Sequence, residues 1–317
     1  MNRHALLLGR PDHPNVVALC DELPRHGLEP RVLDPRLFPA SSTLSVALGP
    51  RGPVRARIGA LDLAETKVGW FSSAESVRLA PGLARAARPF ARAAAIAGLV
   101  ALRQAHGFAW VNDPWRALAS SDKLLQLRLA RERGLAIPET LLTSDPREFR
   151  AFVRKHRAAA VKSPSGSAGV PESRRVLTSR VTSNDISDAE SVRLAPVLAQ
   201  EYVEKRTEVR ATVVGAKVFA VEIHSQEKES TRIDWRHYEE GMRYTKLELP
   251  APVRRACAAI VKDCGLDYSG VDLIRTPQDE YVFLEANSEP AWLWLEDATG
   301  LPITRAIGAL LARRSRP

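Results

Sequence analysis

The sequence is poor in cysteine and has no long apolar run. Its three cysteines, Cys20, Cys257 and Cys264, form no Cys-x-x-Cys pair, which argues against a disulfide framework, a zinc site or redox chemistry. No stretch of about 18 apolar residues occurs, and the first residues, MNRHALLLGRPDHP, hold too short an apolar stretch for a signal peptide. We therefore expect a soluble, cytoplasmic protein without a membrane partner.

Lysine is also scarce, with nine residues among 46 basic ones, so that 37 are arginines. The net charge of +9 raises the question of nucleic acid. Much of the arginine alternates with alanine at helical spacing, as in LARAARPFARAAAIAG, which is typical of a solvated helix face. Because no zinc finger, basic zipper or aromatic RNA-binding motif accompanies the charge, we expect no nucleic-acid partner.

Common catalytic motifs are missing as well. The sequence has no GxxxxGK[ST] phosphate loop, no GxGxxG, no GxSxG and no HExxH. What it has is a length of 317 residues with 45% apolar and 26% charged residues, which predicts two or three packed domains. Any site should therefore be assembled from several segments in a cleft between domains.

The order of the apolar runs predicts an α/β fold. HALLLG, the amphipathic NVVALCDELPRHG and PRVLD give strand, helix and strand, the start of a parallel α/β unit. A long Ala-rich helix over residues 82–106 and the strand FAWVN then close a first domain near Asp113-Pro114. From Ser120 on, helices alternate with strands such as AAAVK, VLAQEYV, EVRATVVG, SGVDLIRT and EYVFLEAN, and SPSGSAGVPESR predicts a mobile loop.

Two neighbouring strands carry oxygen donors. In EYVFLEANSEP, strand alternation places Tyr281, Phe283, Glu285 and Asn287 on one face. In SGVDLIRT, Asp272 points away from its apolar neighbours. Two carboxylates and an amide suit Mg²⁺ that bridges nucleotide phosphates. The alternative is a strand end with surface acids.

Two lysines and a group of polar residues complete the candidate set. Lys123 begins a helix, and Lys162 ends an apolar strand just before the Gly/Ser-rich loop, where loop N–H groups and the lysine can meet one phosphate. In PVLAQEYVEKRTEVR, a strand edge after Gln200 and Glu201 can present backbone groups to adenine, while Glu208 accepts from ribose hydroxyls. Taken singly, either lysine is also explained as a solvated surface residue.

The ordered set of these segments resembles the ATP-grasp fold, whose members activate a carboxylate as an acyl phosphate and transfer it to a nucleophile. The resemblance covers residues 120–317 and depends on Lys123, Lys162, the Gly/Ser loop, QEYVEKRTEVR, VDL and FLEAN in that order. Within that superfamily, AVEIHSQ, IDWR and AWLWLEDATGLPI are similar to the microviridin or graspetide maturases. These enzymes close ester or amide links between side chains of a ribosomal precursor peptide.

The resemblance implies a domain plan and two cofactors, ATP and Mg²⁺. Residues 1–115 would form a Rossmann-like pre-ATP-grasp α/β domain, residues 116–196 a central subdomain with the Gly/Ser flap, and residues 197–317 a C-terminal subdomain with the metal-binding strands. Lys123 and Lys162 would contact the ATP phosphates. The adenine hinge would be formed by Gln200, Glu201 and Val203, and Glu208 would hold the ribose.

The resemblance also assigns the reacting end of the site. Asp272, Glu285 and Asn287 would bind Mg²⁺. Arg210 and Arg236 would stabilise the phosphate or the acyl phosphate, since a permanently charged planar fork suits oxyanions. Structural ion pairing is the alternative for both arginines.

The implied partner is a ribosomal precursor peptide made of a leader and a core. The acidic residues Asp185, Asp188 and Glu190 are candidates to receive a basic leader helix, with a solvated helix face as the alternative. Dimers are common in the resembled family, which leaves monomer and homodimer open. Two other functions also stay open: a RimK-like amino-acid or peptide ligase with the same ATP site, and a non-catalytic nucleotide or peptide binder.

Overall fold

The N-terminal part of the chain folds as the predicted β-α-β unit. In the computed structural model, which describes residues 3–71, 77–105, 109–164, 177–237 and 241–316, strands β1 (Arg3–Leu8) and β2 (Leu28–Leu33) are parallel and joined by α1 (Pro14–Glu22). A small antiparallel sheet follows: β3 (Leu44–Ala47), β4 (Arg55–Ile58) and β5 (Leu61–Asp62). Next come β6 (Thr66–Phe71), α2 (Arg88–Ala101) and β7 (Ala109–Val111). The parallel sheet has the order β2-β1-β6-β7.

A second, antiparallel sheet lies in the middle of the chain. It follows two helices, α3 (Pro114–Ala119) and α4 (Lys123–Glu132), and has the order β10-β9-β11-β8. Its strands are β8 (Thr140–Thr143), β9 (Ala158–Lys162), β10 (Ser179–Thr182) and β11 (Val197–Glu201). Helix α5 (Pro146–His156) begins where Asp145 accepts the N–H of Arg147, and it packs on one face of the sheet. Residues 165–176, which hold most of the predicted Gly/Ser flap, lie outside the described residues.

The third sheet is antiparallel and has the order β14-β13-β12-β15-β16. Its strands are β12 (Thr207–Val214), β13 (Lys217–Ile223), β14 (Tyr244–Leu247), β15 (Tyr268–Arg275) and β16 (Tyr281–Asn287). Helix α6 (Ala251–Asp263) covers one face with Cys257, Ile260 and Val261. Two helices follow β16: α7 (Leu293–Thr299) and α8 (Ile303–Arg314).

Helix α8 returns to the N-terminal sheet. Its residues Ile303, Ile307 and Leu311 share an apolar core with Ala5 and Leu7 of β1, on the face that α1 also covers. Gly308 allows this close approach, because a Cβ at that position would lie 2.9 Å from Cγ of Glu22. The first and third sheets are therefore joined in one packed core.

One prediction about β16 is wrong. The alternation expected Phe283 on the same face as Glu285, but the register slips by one residue: Asp272 pairs with Glu285, and the next residue, Leu273, pairs with Phe283. This irregularity turns Phe283 into the apolar core with α6, while Leu284 and Glu285 both line the cleft on the other face. Such a bulge depends on the partner strand and cannot be read from one strand's pattern.

Among the described residues, no helix combines the length and the apolar character needed to cross a membrane. The sequence prediction also missed four elements, β5, α3, β14 and α7. All four are short, and α7 follows β16 directly in the segment AWLWLEDATG.

Candidate active site

A cleft with an empty volume of about 670 Å³ lies between the second and third sheets. Its lining includes the apolar side chains of Pro138, Ala160, Val203, Ile233, Ile274 and Leu284. Polar and charged residues also line it, including Lys162, Gln200, Glu201, Glu208, Arg236, Asp272 and Glu285. A cleft lined by both apolar and charged side chains suits a ligand that has an aromatic part and an anionic part.

The expected adenine hinge lies at the end of β11. Gln200 is buried, and its side-chain amide donates to Oγ1 of Thr140 at 3.0 Å. The carboxylate of Glu201 accepts the N–H of Glu139 at 3.1 Å. Both side chains are thus held by the neighbouring strand β8, which places the chain from Gln200 to Val203 along the cleft wall.

Glu208 is a buried carboxylate at the same end of the cleft. It accepts hydrogen bonds from Nζ of Lys205 at 3.0 Å and from Oγ of Ser225 at 2.9 Å. Burial raises the pKa of Glu208, and the charge of Lys205 opposes that shift. The carboxylate is therefore fixed in position and desolvated, as a group that orients a hydroxyl ligand would be.

The three predicted metal ligands lie together where β15 and β16 pair. Nδ2 of Asn287 is 3.0 Å from Oδ2 of Asp272 and 3.3 Å from Oε1 of Glu285. Arg210 of β12 lies opposite Asp272 of β15, and its guanidinium donates to both carboxylate oxygens of Asp272 at 2.5 and 3.1 Å. Lys123 Nζ lies 2.5 Å from Oε2 of Glu285. Each carboxylate thus has its own cation.

Burial and the neighbouring cations shift the pKa values of these carboxylates in opposite directions. Desolvation raises the pKa of Glu285, but Lys123 and Lys162 outweigh it, so the pKa of Glu285 lies well below its usual range. Desolvation also raises the pKa of Asp272; Arg210 opposes this rise, and the charge of Glu285 adds to it. Desolvation lowers the pKa of Lys162, which the nearby Glu285 opposes. The cluster therefore contains closely spaced carboxylates and cations that are largely shielded from water.

Arg236 reaches this end of the cleft from the loop between β13 and β14. Its guanidinium binds the carboxylate of Asp234 at 2.8 and 2.5 Å. The same carboxylate accepts the N–H of Thr178, which comes from the second sheet's side of the cleft, at 3.1 Å. Asp234 therefore links the two walls and orients Arg236.

Three residues that the sequence prediction missed shape the site. Gln126 lies one turn after Lys123 on α4 and binds both backbone groups of Ala286, at 2.8 and 2.9 Å, which fixes β16 beside Glu285. Gly270 leaves room for Arg210, because a Cβ there would lie 2.9 Å from Nη1 of Arg210. Asp234 was part of the DWR motif, but only its partner Arg236 was singled out. In the sequence, the feature that points to Gln126 is its position three residues after Lys123, which places both side chains on the same side of a helix.

The three acidic residues expected to bind a leader lie elsewhere. They belong to short 3-10 turns around residues 186–193, which pack with α5 on the face of the second sheet that is turned away from the cleft. Asp185 accepts from the N–H and hydroxyl of Thr182, and Glu190 pairs with Arg150 and Arg193. Asp188 is exposed. Two of the three acids therefore already have partners.

Comparison with known proteins identifies the fold. The sequence pattern of the RimK-like ATP-grasp domain matches residues 120–311, so the chain belongs to that family. A protein of Histophilus somni described as a probable alpha-L-glutamate ligase is 28% identical over 200 residues, which are 61% of this chain. The chain spans 64% of the length of that curated relative.

Several solved structures match over nearly the whole chain. The macrocyclase MdnC of Microcystis aeruginosa, bound with the precursor peptide MdnA, has a TM-score of 0.85 and 25% identity, and the match covers 98% of this chain and 99% of that one. The ATP-grasp ligase PsnB, complexed with a variant of its minimal precursor, Mg and ADP, has a TM-score of 0.79 and 26% identity over 100% of both chains. A RiPP-associated ATP-grasp ligase of Chryseobacterium gregarium shares the fold, with a TM-score of 0.86, 24% identity and coverage of 100% and 98%. The chain has the ATP-grasp fold.

The residues present fit the ATP and Mg²⁺ that this fold implies. Mg²⁺ prefers carboxylate and amide oxygens, and the site offers the carboxylates of Asp272 and Glu285 with the side-chain amide of Asn287 within hydrogen-bonding distance of both. Within the described part of the chain, no group of three His, Cys, Asp or Glu side chains is placed to hold a metal. The apolar side chains of the cleft and Glu208 suit a nucleoside, and Lys162 and Arg236 suit its phosphates.

Proposed function

We propose that this protein is an ATP-dependent peptide macrocyclase. It activates Asp or Glu side chains of a ribosomal precursor peptide as acyl phosphates and closes ester or amide rings with Ser, Thr or Lys side chains. The observation that carries the proposal is the match to MdnC and PsnB over at least 98% of both chains, whereas the glutamate ligase matches 61% of this chain. The N-terminal sheet is thus shared with peptide-bound macrocyclases.

Each group of residues in the cleft has its own role in this reaction. Gln200, Glu201, Val203 and Glu208 hold the nucleoside, and Lys123 and Lys162 hold the phosphates. Asp272, Glu285 and Asn287 are the ligands for Mg²⁺, which when bound neutralises phosphate charge. Arg210 and Arg236 stabilise the charge that develops as phosphoryl transfer proceeds.

The chemistry has two steps. A substrate carboxylate oxygen attacks the γ-phosphorus of ATP, the bond to the β-phosphate oxygen breaks, and ADP leaves. The hydroxyl or amine of a second side chain then attacks the acyl carbon, loses its proton, and expels inorganic phosphate. Both steps require the reacting groups to be aligned, so the cleft accelerates them mainly by positioning these groups.

We further propose the domain boundaries 1–115, 116–196 and 197–317, and a peptide leader held at Asp185, Asp188 and Glu190. Leader binding there must compete with the internal partners of Asp185 and Glu190, so Asp188 is the acid of this group that a basic leader would meet first. A location in the cytoplasm, where ATP is available, belongs to the same proposal, as does a homodimer.

The second candidate is a RimK-like ligase that adds amino acids to a peptide or protein. The observation that favours it is the family match over residues 120–311 together with 28% identity to a probable alpha-L-glutamate ligase. Such an enzyme uses the same nucleotide cleft, so the substrate separates the two candidates.

Intact-mass spectrometry tests the proposal. A peptide encoded beside the gene is incubated with the protein, ATP and Mg²⁺; we expect a loss of one water per ring and release of ADP. A gain that equals the mass of an amino acid minus one water, when free amino acids are supplied, supports the ligase instead. If the verified peptide keeps its mass under both conditions, the macrocyclase proposal is wrong.

Matched variants connect the result to the site. Glu285→Gln removes one metal ligand and keeps its shape, so it should abolish the mass change. Glu280→Gln makes the same substitution at an exposed turn that joins β15 to β16, and should leave the reaction unchanged.

A further inference from the structure

Three aromatic side chains pack together beside the cleft, and we call Trp235, Trp294 and Tyr244 the aromatic stack. The rings of Trp235 and Trp294 are 5.1 Å apart and 29° from parallel. The ring of Tyr244 meets Trp294 edge-on at 5.1 Å. The stack therefore joins the loop after β13, strand β14 and helix α7.

Trp235 is connected to both arginines of the site, to Arg236 through the backbone and to Arg210 through its ring. In sequence it stands between Asp234 and Arg236, whose ion pair holds this part of the loop between β13 and β14. In space, the guanidinium carbon of Arg210 lies 5.3 Å from the centre of the Trp235 ring. A shift of Trp235 would thus move Arg236 through the backbone and remove a contact of Arg210.

Trp294 is held on the other side by the body of the protein. Its ring N–H donates to the carbonyl of Ala291 at 3.1 Å. Two residues earlier, Trp292 is fully buried and packs on Trp70 of β6, with its ring N–H bound to Thr304 of α8 at 2.9 Å. Helix α7 is therefore fixed to the core of the first sheet, and Trp294 provides a rigid surface for Trp235.

We propose that Trp294 is a positioning residue for phosphoryl transfer, which rests on the proposed function. Through Trp235 it holds Arg210 and Arg236 toward the transferred phosphate, while the nucleoside is held elsewhere in the cleft. Displacement of such groups by about 1 Å costs on the order of a hundredfold in rate. Loss of Trp294 should consequently affect the reaction step and spare nucleotide binding.

The test uses the full chain with Trp294→Ala and Trp294→Phe. For Trp294→Ala we expect a fall of at least tenfold in the kcat of ring closure on the neighbouring-gene peptide, with the KM for ATP and the Kd for ADP within twofold of wild type. Trp294→Phe should recover most of kcat, because a flat ring is retained. A rise in KM and Kd without a fall in kcat, or wild-type values of all three in Trp294→Ala, would overturn the proposal.

Two further measurements separate this proposal from a folding defect and from failure of the macrocyclase assignment. The far-UV circular dichroism spectrum and the urea midpoint of Trp294→Ala should match those of wild type and of the control Trp115→Phe, whose ring is 55% exposed on α3, which would show that the variant is folded. The Kd for aluminium fluoride in the presence of ADP and Mg²⁺ reports phosphate positioning without peptide. It should rise at least tenfold in Trp294→Ala; an unchanged Kd contradicts the positioning role, whatever the peptide result.

A double-mutant cycle completes the test. If Trp294 acts through Trp235, then Trp235→Ala combined with Trp294→Ala should lower kcat no further than the larger single effect. Additive losses would mean that Trp294 acts by another route, and the proposal would be wrong.

Discussion

Nζ of Lys123 lies 2.5 Å from Oε2 of Glu285, although the two residues are 162 positions apart in the sequence. The contact joins the first turn of α4 to the end of β16, and both side chains are largely enclosed, with 18% of each exposed. A cation at the start of α4 therefore keeps a carboxylate of the third sheet ionised.

Removal of that cation should weaken metal and nucleotide binding. In Lys123→Met the enclosed carboxylate of Glu285 loses its nearest partner, which raises its pKa and costs about 1–3 kcal/mol of folding stability. We expect the affinity for ADP with Mg²⁺ to fall at least tenfold, measured by isothermal titration calorimetry. Lys155→Met is the control, since Lys155 is 60% exposed and pairs with Glu139 at the surface; equal losses in both variants would contradict the interpretation.

Gly270 should not accept a side chain. A Cβ there would lie 2.8 Å from Cβ of Pro290 and 2.9 Å from Nη1 of Arg210, so Gly270→Ala must displace Arg210 or the backbone near Pro290. We expect a loss of about 1–3 kcal/mol in urea unfolding and lower activity. Gly82→Ala, where a Cβ has no neighbour within 4 Å, should be neutral. Wild-type stability of Gly270→Ala would show that Arg210 has room to move.

A buried hydrogen bond joins the first and third sheets. Nε1 of Trp70 donates to the hydroxyl of Tyr268 at 2.8 Å, and both side chains are at most 1% exposed. Tyr268→Phe leaves the indole N–H without an acceptor and should cost about 1–3 kcal/mol in urea unfolding. Tyr281→Phe, at a partly exposed position, should change stability far less. Similar values for the two variants would argue against the role of this bond.

The Asp234 carboxylate should make stability depend on acid pH. Burial raises its pKa, but the hydrogen bonds and charge of Arg236 outweigh it, and the pKa of Asp234 falls to about 2 from an ordinary 3.8. The folded-state pKa is the lower one, so this stabilisation is present above about pH 4 and is lost as pH falls toward 2. Asp234→Asn should therefore cost on the order of 1–2 kcal/mol at pH 7, and the difference from wild type should shrink below pH 4.

Asp12→Asn is the matched control for that measurement. The pKa of Asp12 is also lowered to about 2 by its hydrogen bond with Arg10, but the pair is exposed at the surface and screened by water. We expect no measurable change in its urea midpoint at any pH. A pH-independent effect of Asp234→Asn would mean that its carboxylate charge is not what stabilises the loop.

Local patterns predicted the parts of the site that depend on one strand or one helix end. Asp272 lies between Val271 and Leu273, and alternation alone places it on the polar face. Three other features depend on how distant segments pack. They are the register slip at Leu284, the space that Gly270 leaves for Arg210, and the contact of Trp294 with Trp235. A single strand or helix carries no signal for such contacts, so sequence reasoning selected candidate ligands that lie together and missed the residues that orient them.

The return of α8 to the first sheet also bears on how the chain folds during synthesis. Strand β1 is made before α8, yet one face of its sheet is completed by Ile303, Ile307 and Leu311 of α8. Until then Ala5, Leu7 and Trp70 lack part of their apolar cover, so the nascent N-terminal region should depend on chaperones. A fragment that stops before α8 should aggregate, even though it contains every residue of the nucleotide cleft.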